Sequence, residues 1–199
     1  MIVLVLTVAI VISVPLLGGK LSRLGQVEFE ETWLVIFGFM AQLVVVSVAP
    51  RELEPIAGAV HLASYLLAGA FLVMNLHIPG LWILGLGGGM NFAAIVGNGG
   101  TMPAGSWATQ ISGLVQAEGE FANSGMVEHP KLLFLGDIFP IPAGWPLSNV
   151  FSIGDVLLVI GAAVVIHGLS GSRLSGAYTS AAAGGGNTVP KPPAHVTAS

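Results

Sequence analysis

The chain is built of long apolar stretches separated by short polar punctuation. Five stretches, Met1–Leu17, Trp33–Ala49, Ile56–Leu76, Ile78–Val96 and Val150–Leu169, reach or approach the ~17–25 apolar residues that a transmembrane helix needs. The third and fourth are separated only by His77, so a tight hairpin must join them. Pro79 and Gly80 supply the break, because proline cannot continue the preceding helical ladder. The pattern predicts an all-α integral membrane protein: one helical domain over residues 1–169 with about five transmembrane helices.

The connections carry further information. Met1–Leu17 lacks a positively charged segment before its apolar core, and no A-x-A-like cleavage site follows it, so it reads as a retained helix rather than a signal peptide. With the N-terminus outside, the cytoplasmic segments hold Lys20, Arg23, Arg173 and Lys191, against Arg51 and Lys131 outside. That is the sense of the positive-inside rule. It predicts a multi-pass protein of the cell membrane with a cytoplasmic C-terminus. Residues 97–149 then form an outer loop, far longer than the usual ~2–8-residue link between bundled helices. Trp107, Leu132-Leu133-Phe134-Leu135 and Ile138-Phe139 make it too apolar to be disordered, which predicts a segment lying on or dipping into the membrane face, buried against protein or lining a wet cavity. Residues 170–199, rich in Ser, Gly, Ala and Pro, read as a disordered tail.

Composition narrows the function. Of 199 residues 54% are hydrophobic and only 8% charged, against about 25% charged in a soluble domain, and the mean hydropathy is +0.87. A cytosolic enzyme and a disordered regulator are both excluded. A net charge of −4 with no basic patch excludes nucleic acid as a partner. The absence of cysteine removes disulfides, thiol nucleophiles and Cys-based zinc sites. His129 and Glu128 are neighbours without an H-E-x-x-H context, so neither a metal nor a cofactor is expected. The partner expected from composition is the lipid bilayer.

Ionisable groups in apolar spans cost about 2.5–3.5 kcal/mol on insertion scales, which makes each a functional candidate. Asp155 opens the last span in Phe151-Ser152-Ile153-Gly154-Asp155; Ser152 and Asp155 have capping-box spacing, and a cap can also be a rigidly held catalytic acid. Asp137 is isolated in Leu132-Leu133-Phe134-Leu135-Gly136-Asp137-Ile138-Phe139-Pro140 and reads either as a desolvated acid or as a turn residue. Asn91 and Asn98 flank the outer end of the fourth span, where they orient a carboxylate or bond the fraying helix end. His61, Gln42 and Asn75 read as interhelical hydrogen-bonding residues, and His167 as an interface residue. Gly85 and Gly89 have the G-x-x-x-G spacing of close helix contact. Gly97-Asn98-Gly99-Gly100 is a weak candidate for an anion-binding nest.

The segment Asn91 through Asn98-Gly99-Gly100-Thr101-Met102-Pro103, followed by Leu135-Gly136-Asp137 and Phe151-Ser152-Ile153-Gly154-Asp155, resembles a bacterial family of small membrane proteins known only as domain of unknown function 5317. The resemblance runs over nearly all of the chain before the tail. It implies a multi-pass membrane protein and no particular activity. More locally, Phe151–Asp155 followed by apolar residues to Gly161 looks like the last motif of lipoprotein signal peptidases, which read Phe-Asn-x-Ala-Asp there, with glycine six residues after the aspartate. Asp137, 18 residues before Asp155 (155 − 137), lies near the place of that family's other catalytic aspartate. Ser152 stands where the motif has asparagine and Gly154 where it has alanine, and the family's Gly-Asn-x-x-Asp-Arg block has no counterpart.

The expectation is therefore a multi-pass membrane protein with a two-aspartate site of Asp137 and Asp155 at the outer face, supported by Asn91, Asn98 and Ser152. One alternative is an aspartyl hydrolase of a lipid-linked or peptide substrate, in which an ionised carboxylate activates water and a protonated one polarises the scissile carbonyl. The others are a small-molecule transporter and a structural or partner-binding protein.

Overall fold

A computed structural model describes residues 2–48, 54–114, 124–125 and 127–176. The predicted tail from residue 177 onward, and with it Lys191, lies outside the described residues, as does Arg51.

The apolar stretches form helices α1 (Ile2–Leu16), α2 (Trp33–Val48), α3 (Glu54–Met74) and α4 (Leu81–Gly97). Between α4 and the last helix come β1 (Met102–Pro103), α5 (Ser106–Ser112), β2 (Ser124–Gly125), β3 (Phe139–Ile141) and β4 (Asn149–Phe151), and then α6 (Ile153–Ser170). The protein is mostly helical. Among the described residues α6 alone combines 18 residues with a mean hydropathy of 2.0, enough to cross a membrane by length and composition; Ile2–Leu16, Trp33–Val44, Gly58–Met74 and Leu81–Gly97 are shorter apolar helices.

Two helix starts differ from the hydropathy pattern. Residues 75–80 turn rather than continue α3, with Gly80 at φ 87° capping α4, so α4 begins at Leu81 and not at Ile78. A Cβ on Gly80 would also strike Val164. Val150 is not helical: it pairs with Pro140 in the antiparallel β3–β4 ribbon, and α6 begins only after Ser152.

Neighbouring helices run up and down. Gly38 of α2 meets Ser64 and Leu67 of α3, Leu72 of α3 meets Gly85 of α4, and along α4 the residues Gly80, Leu84 and Gly87 meet Val164, Gly161 and Gly154 of α6. The last series descends as the first ascends, so α4 and α6 are antiparallel. α1 runs parallel to α6, since Ser13 reaches His167 and Lys20 N–H donates to the Ser170 carbonyl. One end of the bundle, the hairpin end, thus gathers the Asn75–Gly80 turn, the 3-10 turn Leu21–Gln26 and the C-termini of α1 and α6. The other, the cap end, is closed by the described residues among 98–114, 124–125 and 127–151. Ile78, Leu81 and Val165 form one buried cluster at the hairpin end, and Ala94, Ile95 and Met102 a second at the cap end, with Leu62, Tyr65 and Leu135 against it.

The chain expected to be a tail from residue 170 is ordered where it is described. Ser170 closes α6, Gly171 caps it at φ 64°, and Arg173 N–H donates to the Leu17 carbonyl at 3.0 Å.

Candidate functional site

The cap end holds both aspartates. Ser152 is completely buried and caps α6. Its hydroxyl oxygen accepts from Asp155 N–H at 2.9 Å, and Asp155 Oδ2 accepts from Ser152 N–H at 3.1 Å: a reciprocal capping box. From α4, Asn91 Nδ2 donates to Asp155 Oδ1 at 2.9 Å, while Asn91 Oδ1 accepts from the Ser152 hydroxyl at 2.8 Å. Asn91, Ser152 and Asp155 therefore close a ring of side-chain bonds, and both Asp155 oxygens are held. Asn91 lies six residues before the end of α4 (97 − 91), so the ring is recessed about 9 Å at 1.5 Å per residue.

This recess depends on glycine. A Cβ on Gly154 would lie 2.0 Å from Asn91 Oδ1, and one on Gly87 would lie 2.7 Å from the Gly154 carbonyl. The close contact of α4 is thus made by Gly87 against Gly154, and by Leu84 against Gly161. Gly85 and Gly89, the pair with G-x-x-x-G spacing, do not make it: Gly85 sees only Leu72 at 3.9 Å, and Gly89 has open space. Spacing fixes which glycines share a face; the neighbouring helix selects the face.

Asp137 comes from the cap. Its backbone is locked beside β1, with Asp137 N–H donating to the Pro103 carbonyl at 2.9 Å and its own carbonyl accepting from Gly105 N–H at 3.0 Å, and the residue is buried. Gly136 before it is obligatory, since a Cβ there would strike the Pro103 carbonyl. Tyr65 of α3 has its hydroxyl in the electrostatic field of both Asp155 and Asp137. The Tyr65 ring stacks on Phe92 with centroids 5.7 Å apart and meets His61 edge-on at 5.3 Å. Sequence reading passed over Tyr65 as a site residue, although it is one of only two tyrosines in the chain and stands in an apolar span.

Asn98 does not reach the carboxylates. Its amide donates to the Ala94 and Lys131 carbonyls and accepts from Lys131 N–H, each within 2.7–2.8 Å. It splices the end of α4 to the loop that delivers Asp137, so its role is positioning. The Gly97–Gly100 turn forms no anion nest, because the N–H groups of Asn98, Gly99 and Gly100 donate back to carbonyls of α4. Among the described residues no three His, Asp or Glu side chains gather as metal ligands.

The remaining polar residues tie helices together. Gln42 Nε2 donates to His61 Nδ1 at 2.5 Å, which joins α2 to α3. Asn75, fully buried, brackets Glu30 by donating to its carbonyl and accepting its N–H. His167 is buried rather than interfacial. Ser13 spends its proton on the Ile10 carbonyl, so His167 Nε2–H donates to Ser13 at 3.2 Å and Nδ1 accepts from the Ser172 hydroxyl at 2.9 Å. These contacts clamp α1 and the start of the tail to α6.

Residues 26–167 match the sequence profile of a family of unknown function, DUF5317. An uncharacterised protein of Thermotoga maritima is 25% identical over 159 residues, covering 79% of this chain and 84% of its own length. No solved structure matches. The matched span takes in Asn91, Asp137, Ser152 and Asp155 and stops before Ser170; the likeness to lipoprotein signal peptidases rests on the short motifs alone.

Proposed function

The chain belongs to the DUF5317 family, and from that premise we propose that it is an integral membrane protein with an acidic site at its outer end. In this reading the apolar helices α1, α2, α3, α4 and α6 all cross the bilayer, N-terminus outside, and Asp137 and Asp155 form the site. One observation carries the membrane reading: the helices are apolar outward and polar inward. Phe37, Phe39, Leu66 and Val73 are 61–68% exposed, whereas His61, Asn75, Asn91, Ser152 and His167 are at most 6% exposed. A contiguous apolar surface of that extent is unfavourable in water and is satisfied by lipid. The gathering of Lys20, Arg23 and Arg173 at the hairpin end supports a cytoplasmic hairpin end.

The chain has no native cysteine, so single-cysteine labelling tests this directly. Trp145→Cys, at an exposed cap position, reacts with a membrane-impermeant maleimide in intact cells. Gly25→Cys, in the open 3-10 turn, reacts only after lysis. Recovery of the chain without detergent in the soluble fraction, or the reverse labelling pattern, refutes the reading.

The electrostatic influence of both carboxylates on Tyr65 favours a second, chemical version: hydrolysis of a lipid-linked or peptide substrate. Asp155, whose two oxygens accept bonds from Asn91 and Ser152, is then the ionised member that takes the proton from water. Asp137 carries the shared proton and polarises the scissile carbonyl. Asp137→Asn and Asp155→Asn, tested by complementation of a deletion strain with membrane abundance measured alongside, decide it. Loss of function at normal abundance in both supports the site; loss that follows abundance leaves Asp155 as a helix cap only.

A further inference from the structure

Three of the six basic residues of the chain converge where α1 and α6 end side by side. The segments that follow these helices are clasped by backbone bonds: Lys20 N–H donates to the Ser170 carbonyl and Arg173 N–H to the Leu17 carbonyl, each at 3.0 Å. Each arginine side chain then lies on the other segment. A Cβ on Gly171, the cap of α6, would strike the Arg23 guanidinium, and one on Gly18 would lie 3.9 Å from Arg173 Nε. Lys20 belongs to the same clasp, since its carbonyl accepts from Arg23 N–H at 3.1 Å.

The protein does not balance this charge. Lys20, Arg23 and Arg173 are all exposed, and among the described residues none of them forms an ion pair. The acidic residues of the same end lie across the bundle, because α6 packs between α1 and α4, and α3 between α4 and α2. Glu30 is bracketed by Asn75 at the end of α3, Phe29 beside Glu28 meets Phe71 of α3, and the Glu31 carboxylate accepts from Trp33 at the start of α2. The two helix C-termini contribute about half a negative charge each, so about two positive charges remain. Exposed leucines stand among the cations: Leu16, which is 78% exposed, Leu21 and Leu174. A free phosphate or an acidic protein would use the charge and leave these leucines wet. A lipid answers both, with a phosphate at the guanidinium groups and acyl chains beside the leucines.

We propose that Lys20, Arg23 and Arg173 hold the phosphate head group of one anionic phospholipid, whose acyl chains run along the exposed Leu16 and Ile12 of α1. The proposal rests on the membrane reading above and adds to it a lipid class and a place. Juxtamembrane lysines and arginines attract anionic lipid in general. Here two arginines crossed over two helix ends fix the cluster at one point, so the lipid is held at a site rather than spread around the protein.

The test uses the full chain in phosphatidylcholine nanodiscs that carry a small fraction of one of two photoactivatable probes. One is phosphatidylglycerol and the other phosphatidylcholine, each with a diazirine near the carboxyl end of one acyl chain. Adducts are mapped by mass spectrometry. The expected result is labelling about tenfold stronger with the phosphatidylglycerol probe, the excess being confined to the ends of α1 and α6 and the Leu21–Gln26 turn. Arg23→Gln combined with Arg173→Gln removes the excess, whereas Lys131→Gln, which removes a cation of the cap end, leaves it. Equal labelling of the unaltered chain by the two probes, or an excess spread over both ends of the bundle, overturns the proposal without relying on any variant's folding. An excess that inorganic phosphate abolishes at constant ionic strength overturns it in favour of a site for a free anion. A chain that fails to insert into the nanodiscs at all refutes the membrane reading itself, and so the two failures are distinguishable.

Discussion

Gly154→Ala is the sharpest perturbation of the recess that holds Asp155. The added methyl would lie 2.0 Å from Asn91 Oδ1 and 2.7 Å from both Asn91 Cγ and the Gly87 carbonyl. No rotamer of alanine relieves this, so either Asn91 leaves or α4 and α6 separate. If Asn91 leaves, its bonds to Asp155 and from Ser152 are lost together. Interhelical hydrogen bonds in membranes contribute about 0.6 kcal/mol on average and up to about 1.7 kcal/mol. Overpacking adds about 1–3 kcal/mol. The sum is a destabilisation of about 2–6 kcal/mol, measurable by reversible unfolding in mixed micelles or by steric trapping. Gly89→Ala is the control: open space surrounds it, and replacing a helical glycine with alanine there is neutral or stabilising by up to about 1 kcal/mol. Asn91→Ala removes the nearest obstruction, so the double variant should be less destabilised than the two single costs added, by about 1 kcal/mol or more. A Gly154→Ala cost below about 0.5 kcal/mol, or strict additivity with Asn91→Ala, would refute the packing account of the site.

Other substitutions probe the rest of the bundle. Asn75→Ala leaves the backbone N–H and carbonyl of Glu30 without their partner and should cost about 1–3 kcal/mol, with faster proteolysis between α1 and α2 as the readout. His167→Phe removes the bonds to Ser13 and Ser172 and should loosen α1; a cysteine cross-link between α1 and α6 that forms in the unaltered chain should then form more slowly. Ser13→Ala should have a smaller effect, since the contact of His167 with Ser172 remains. Ser152→Ala removes both the cap of α6 and the donor to Asn91 and should lower stability by about 1–2 kcal/mol, visible as a shift in detergent thermal denaturation; an unchanged midpoint would count against the ring of bonds.

Much of the fold is legible in the amino-acid pattern because it depends on local quantities. Apolar runs of helical length mark α1, α2, α3, α4 and α6, the Pro79-Gly80 pair marks the hairpin, and the Ser152–Asp155 spacing marks the start of α6, where the capping box is found. The interior of the cap is less legible. β1 and β2 are two residues each, and such short strands exist only because partners distant in sequence are brought beside them.

What the sequence by itself determined is which apolar segments form the long helices, and that several polar residues sit in apolar surroundings where they need partners. The tertiary structure alone decided who those partners are. It chose Gly87 over Gly85 and Gly89 for close contact, gave Asn91 to Asp155 but Asn98 to Lys131, and buried His167 between Ser13 and Ser172. The physical reason is that hydropathy and capping act over a few residues of one chain segment. Pairings such as Asn91 with Asp155, 64 residues apart, depend on the crossing of helices, which no local pattern encodes.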